Sequence, residues 1–327
     1  MTGLDSAKRL CLLIPVYDDW DAVATLLEHL DRELASTSWS AHVLLVDDGS
    51  TRPVPEDLAR GKSAAFTRVE VLELRRNLGH QRAIAIGLAH VEENVPCRAV
   101  LVMDGDGEDR PSDVPALLAR FEESGDARIV FARRARRSES RTFRILYRLY
   151  ILAHRILTGD WVEIGNFSVL SADHVARLVA VSETWNHYAA AVVKSRLPFE
   201  TVDTERGHRY SGTSKMNLMA LVLHGLSAIS VHGEVVGTRL LVATAGLILA
   251  AATFLVATVA IRLATDLAIP GWATYATGLL LVILLQAIIL AVVFIFVVLA
   301  GRQMSSFLPL RDYRYLVRGV KSLHEAE

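Results

Sequence analysis

The sequence predicts an α/β fold, a mostly parallel sheet covered by helices on both faces, followed by two long apolar helices. Three observations carry that reading. Short apolar runs alternate with stretches of helical spacing from residue 10 to about residue 209. Several of the runs end in carboxylates and glycines, the kind of sequence found where a parallel sheet opens its ligand-binding edge. Two segments near the C-terminus, 240–261 and 273–300, carry no charged side chain, and each exceeds the ~20 residues that a bilayer span requires.

The elements follow in order. CLLIPVY (11–17) is a short apolar run ended by polar residues and suits a buried strand. From Asp21 to Leu34 apolar residues recur at 22, 23, 26, 27, 30 and 34, a helical spacing. HVLLVDDGS (42–50) is a second strand running into a turn, VEVLEL (69–74) a third and AVLVMD (99–104) a fourth. Residues 81–91 form the intervening helix, Ser112 caps another over 112–121, and RIVFA (128–132) is a fifth strand. Strands alternating with helices imply parallel pairing. The net charge of −1 over 327 residues shows no global field for nucleic acid. Two cysteines beside apolar runs, Cys11 and Cys97, predict buried thiols rather than a disulfide framework. The N-terminus has no long apolar stretch of the secretory kind.

The most informative stretch is AVLVMDGDGEDRP (99–111), in which a strand runs into closely spaced acids. Like charges so close repel, so a positive partner is required. Side chains alternate along an extended chain, so Asp104 and Asp106 can point the same way. Converging carboxylate oxygens suit a hard divalent cation, magnesium or manganese, shared with substrate phosphates. An EF-hand is excluded, because its sixth and twelfth positions hold Asp109 and Pro115 instead of glycine and glutamate.

IPVYDDWDAVATLLEHL, LLVDDGST, RRNLGHQRAIAIGL and VMDGDGEDRP, in that order, resemble glycosyltransferase family 2 with its GT-A, Rossmann-like fold. With two C-terminal spans the chain is similar to the polyprenyl-phosphate glycosyltransferases of that family. The resemblance covers residues 10–215 and implies metal binding by Asp104, Asp106 and Glu108, the last standing where relatives often carry glutamine. It implies that Pro15, Tyr17, Asp19 and Asp47 line the nucleotide, and that Gly79 and His80 lie near the diphosphate or donor sugar. It also implies that Arg206, Ser214 and Lys215, in ERGHRYSGTSK, close over phosphates. In the GDF-type segment (162–178) Asn166 stands for the aspartate and Ser168 for the arginine.

Residues 132–157 carry eight arginines and one acid. Arg137, Arg141, Arg144, Arg148 and Arg155 share one helical face, and Ile145, Leu149, Leu152 and Ile156 form an apolar stripe, a pattern that suits an anionic membrane surface. By the family resemblance Arg133, Arg137 and Arg141 hold a lipid phosphate, for which guanidinium forks are suited. The expected organisation is a catalytic domain (1–215), an interfacial helix (216–237), two transmembrane helices (238–300) and a basic tail (301–327). Arg302, Arg311, Arg314, Arg318 and Lys321 follow the second span, whereas the short loop offers only Arg262. The positive-inside rule then puts both ends and the catalytic domain in the cytoplasm.

The function implied by the resemblance is inverting transfer of a sugar from a nucleotide-sugar donor to a polyprenyl phosphate. The cation would neutralise the diphosphate leaving group. An acceptor phosphate is already anionic, so no strong base is needed and Asn166 is tolerated. The alternatives are transfer to another membrane lipid or glycan acceptor, and a catalytically silent membrane scaffold that binds nucleotide sugar. Assembly into a homo-oligomer is left open.

Overall fold

The computed structural model of the chain describes residues 8–59, 63–134, 151–159, 164–211, 225–265, 271–303 and 307–325. The described chain divides into two compact units. The first is an eight-stranded sheet with helices on both faces. Its strands are β1 (Arg9–Val16), β2 (Ser40–Asp47), β3 (Phe66–Leu74), β4 (Ala99–Val102), β5 (Ile129–Arg134), β6 (Ser168–Ser171), β7 (Phe199–Thr204) and β8 (Val317–Glu325). They lie in the order β7-β5-β6-β4-β1-β2-β3-β8. The central four, β4-β1-β2-β3, are parallel, as expected; β6 and β8 run antiparallel to their neighbours.

Alternation along β1 feeds two cores at once. Leu10, Leu12 and Ile14 pack with α1 (Trp20–Leu34) and α3 (Val114–Glu123), while Cys11 and Leu13 pack with α2 (His80–Asn94) on the other face. The stripe at 22, 23, 26, 27, 30 and 34 is the buried face of α1. Cys11 is buried, Cys97 is half-buried and both are free. Burial raises the Cys11 thiol pKa and pushes that of Cys97 up to about 12.

Three expectations change. Ser112 does not cap α3: a short 3-10 turn, Pro111–Asp113, precedes the helix, whose N-cap Asp113 makes no side-chain cap bond. The fifth strand runs beyond its expected end at 132, because β5 continues to Arg134 and pairs in parallel with β7, which puts Arg133 in the strand; residues 151–158 are helical, and 135–150 lie outside the described residues. The end of the chain is not simply a basic tail. A short helix (Pro309–Asp312) and a 3-10 turn (Tyr313–Tyr315) lead into β8, which closes the β3 edge. Tyr313 donates to Glu93 Oε2 at 2.5 Å, Asn94 Nδ2 donates to Tyr313 Oη at 3.1 Å, and Arg314 pairs with Glu93 at 2.7 Å.

The second unit contains two 32-residue helices, Gly233–Ala264 and Trp272–Gln303. Both are long and apolar enough to cross a membrane, over Gly233–Ala264 and Trp272–Leu299. The first is longer than the expected span, taking in residues 233–237 of the expected interfacial segment. Within that segment 225–230 are helical and 216–224 lie outside the described residues. Gly237, Thr244, Ala251 and Thr258, seven residues apart, are the buried positions of the first helix. Thr244 and Thr258 donate to the carbonyls of Leu240 and Phe254, which satisfies their hydroxyls inside the helix.

Candidate active site

The turns that follow β1, β2, β3 and β4 meet at the carboxyl edge of the sheet. Two aspartates, Asp18 and Asp48, join the first three of them, and a third, Asp47, closes its own turn. Asp18, in the left-handed region at φ 56°, accepts from the backbone N–H groups of Thr51 and Arg52 at 2.8 and 2.9 Å. Its own N–H donates to Ser50 Oγ at 2.9 Å. Asp47 accepts from Ser50 N–H at 2.8 Å, closing the second turn on itself. Asp48, 3% exposed, accepts from Leu78 and Gly79 N–H at 2.7 and 2.8 Å and so fixes the entry to α2. Burial raises the Asp48 pKa, against the opposing effect of those two donors. Gly49, at φ +70°, fits here because a Cβ would stand 2.6 Å from the backbone of Arg76 and Asn77.

The fourth turn is held differently. Asp109 accepts from the N–H of Asp104 at 3.0 Å and Asp106 from that of Glu108 at 2.9 Å, which shapes the loop. The charges themselves are met by cations from elsewhere in the chain. His80 Nε2 is 3.1 Å from Asp104 Oδ1, Arg209 is 2.8 Å from Asp106 Oδ2, and Arg206 forks onto Glu108 at 2.6 and 3.1 Å. Arg209 also lies 4.0 Å from Asp19. Burial raises the Asp106 pKa, and the neighbouring Asp104 adds to the effect. For His80, burial works against the imidazolium but the Asp104 carboxylate, helped by Asp109 and Asp106, outweighs it, so its pKa is raised.

Beside His80 lies a neutral network. Asn166 Nδ2 is 3.0 Å from His80 Nε2, Gln81 donates to Asn166 Oδ1 at 3.0 Å, and Tyr188 N–H donates to Gln81 Oε1 at 2.7 Å. The buried Tyr188 hydroxyl meets Ser168 Oγ at 2.8 Å. Asn166 and Ser168, the two departures from the family pattern, are thus both hydrogen-bonded within the fold, Asn166 accepting from Gln81 beside the site histidine and Ser168 meeting Tyr188.

Of the residues singled out in the sequence, Asp104, Asp106, Glu108, His80, Asp19 and Arg206 come together around this turn. Pro15 pairs with Val46 in the sheet, Tyr17 is half-buried just after β1, and Asp47 and Gly79 hold adjoining turns. Arg133 lies on β5, where it pairs with Asp203 on β7 at 2.7 Å. Arg137, Arg141, Ser214 and Lys215 lie outside the described residues. Asp18, Gln81, Asp109 and Tyr210 are site-forming residues that no local pattern ranks: the side chains of Asp18, Gln81 and Tyr210 have partners 33, 107 and 181 residues away, Thr51, Tyr188 and His29, and Asp109 acts through local turn geometry.

Among the described residues, no three His, Cys, Asp or Glu side chains are grouped to form a metal cage. Asp104, Asp106 and Glu108 therefore do not make a ready-assembled three-carboxylate site. What the turn offers is hard anionic oxygen, one or two carboxylates of which fit magnesium or manganese when phosphates complete the shell.

Residues 11–177 match the glycosyl transferase family 2 model, about half of the chain. The chain belongs to glycosyl transferase family 2. Among its relatives is the undecaprenyl-phosphate 4-deoxy-4-formamido-L-arabinose transferase of Klebsiella pneumoniae subsp. pneumoniae, 30% identical over 119 residues, which are 36% of this chain and 35% of that one. The Erwinia tasmaniensis protein of the same description is 24% identical over 221 residues, 66% of each chain. The matched stretch is thus about a third of the first relative's length. The glucosyl-3-phosphoglycerate synthase of Mycobacterium tuberculosis, solved with Mn2+, UDP-glucose and phosphoglyceric acid, superposes with a TM-score of 0.51. At 14% identity, over 72% of this chain and 80% of that one, it shares the GT-A fold with this family 2 protein.

Proposed function

We propose that this family 2 protein transfers a sugar, with inversion, from a nucleotide-sugar donor to a polyprenyl phosphate at the cytoplasmic face of a membrane. The observation that supports it best is the pairing, in one chain, of a charge-compensated acidic turn at the carboxyl edge of a GT-A sheet with two helices of membrane-spanning length. Relatives described as undecaprenyl-phosphate sugar transferases support the acceptor class. Residues on both sides of the helix pair share one sheet, which supports a hairpin that enters and leaves the bilayer on the same side.

In this reading the turns carrying Asp18, Asp19 and Asp47 receive the nucleoside. Asp104 and Asp106, with Glu108 at the margin, would hold a divalent cation, which supplies neutralisation of the diphosphate leaving group. His80, fixed by Asn166 and Asp104, faces the donor sugar and orients it. Arg206, Arg209 and Lys215 would bind the phosphates, and Arg137 and Arg141 the lipid phosphate. The acceptor oxygen is already anionic, so it attacks the anomeric carbon without surrendering a proton while the sugar–phosphate bond breaks and the nucleoside diphosphate leaves. Incubating the purified chain with UDP-, GDP- and other nucleotide sugars and a short-chain polyprenyl phosphate, followed by thin-layer separation, should give a lipid-linked sugar with one donor class. Donor turnover onto diacylglycerol alone would redirect the proposal to another lipid acceptor.

A further inference from the structure

Segment 205–210 lies as a strap across the acidic turn. Its backbone is joined there twice, Gly207 N–H donating to Glu108 O at 2.8 Å and Tyr210 N–H to Asp106 O at 3.0 Å. The approach is so close that a Cβ on Gly107, at φ +89°, would lie 2.5 Å from the Tyr210 ring, and one on Gly207 would overlap Gly107 O. Tyr210 is anchored on the far side by its hydroxyl, 2.8 Å from His29 Nδ1. Between these fixings Arg206 holds Glu108 and Arg209 holds Asp106. Two of the three carboxylates expected to take a cation are thus already occupied by the strap's arginines, and the third faces His80. The Arg209 Nε is buried without a hydrogen-bond partner, a donor that a phosphate oxygen would satisfy.

We propose that the strap arginines and a divalent cation compete for the same carboxylates, so that loading the cation releases Arg209 and Arg206 from the turn and turns them toward the donor diphosphate. Before loading, the two arginines offset the repulsion among Asp104, Asp106 and Glu108. A dipositive ion replaces their charge on the turn, and the guanidinium groups then face the phosphates that arrive with it. The strap therefore acts in donor binding only when the turn is loaded, which makes Arg209 a positioning residue that couples the two events. The inference rests on the transferase reading above for the identity of the phosphates, but the competition itself is a property of metal binding alone.

The test is Mn2+ binding to the full chain in nanodiscs without donor, read from the spectrum of free Mn2+. Arg209→Ala should bind Mn2+ about tenfold more tightly than wild type, the scale of one partly buried charge-assisted pair, and Arg209→Lys should stay near wild type. In the wild-type chain, saturating Mn2+ should speed modification of the Arg209 guanidinium by phenylglyoxal, read by mass spectrometry. Equal or weaker Mn2+ binding by folded Arg209→Ala overturns the proposal. Should that variant fail to fold, unchanged modification of Arg209 in the wild-type chain on adding Mn2+ overturns it instead. A tightened affinity without sugar transfer from any donor would sink the transferase reading and leave the competition standing; transfer without the affinity shift would sink the competition alone.

Discussion

The turn after β2 and the turn after β4 look alike in sequence, DDGS against DGDGE, yet their carboxylates answer to different partners. Asp47 and Asp48 accept from backbone N–H groups, and Asp18 adds two more such bonds from the β1 side. Asp106 keeps one backbone bond, from the Glu108 N–H, but the charges of Asp104, Asp106 and Glu108 face the side chains of His80, Arg209 and Arg206. A backbone N–H cannot leave without unfolding its turn, whereas an arginine can rotate away on its own stem. The first turn is therefore architecture and the second is exchangeable charge. Acidity alone does not separate them; the mobility of the partner does.

That contrast predicts opposite phenotypes for two aspartate-to-alanine changes. Asp106→Ala should lower sugar transfer by about 100-fold or more, the scale of removing a key electrostatic group, with a stability loss of only about 1 kcal/mol, because a single N–H, that of Glu108, loses its acceptor. Asp48→Ala should instead destabilise the sheet unit by about 2–4 kcal/mol, because two N–H groups are left without their acceptor. Paired turnover and denaturation measurements would erase the distinction if both variants lost stability equally. A smaller effect is expected at Gly49→Ala, where a positive φ and a backbone clash should cost about 1–3 kcal/mol without touching the exchangeable turn. Its signature is a lower denaturation midpoint at unchanged Mn2+ affinity.

The smallest predicted effect concerns the closing strand. The Tyr313 hydroxyl, and then Arg314, hold the Glu93 carboxyl below the usual glutamate range. A folded value below the unfolded one means the contact contributes fully above about pH 4.3 and is lost as pH falls through the lower folded value. Hydrogen exchange over residues 313–320 should accelerate in that acid window, and Glu93→Gln should remove the pH dependence while leaving the β4 turn unaffected.

Much of this was legible in the residues. Periodicity located α1, α2 and the five strands of the αβ repeat, because each buries one or both faces completely and burial leaves a clear pattern. The antiparallel strands were harder. β6 has four residues, and β8 reads VRGVKSLHE, a half-exposed edge whose charges resemble those of a solvated tail. The acidic turn was visible from its composition, and His80 and Arg206 from the family motifs, but which carboxylate each cation meets was not: Arg209 reaches Asp106 across 103 positions of sequence, a distance no local pattern spans. Asn166 was visible only as a departure, and the structure supplies its neighbours, Gln81 and His80.

The position of β8 bears on how the molecule is made. The strand that finishes the sheet is encoded downstream of both apolar helices, so it leaves the ribosome after the other seven strands. Until then the β3 edge stays open, with its ladder of N–H and C=O groups unmatched. Shortening the chain after the second helix, in the hope of trimming a dispensable end, would leave every molecule in that half-finished condition.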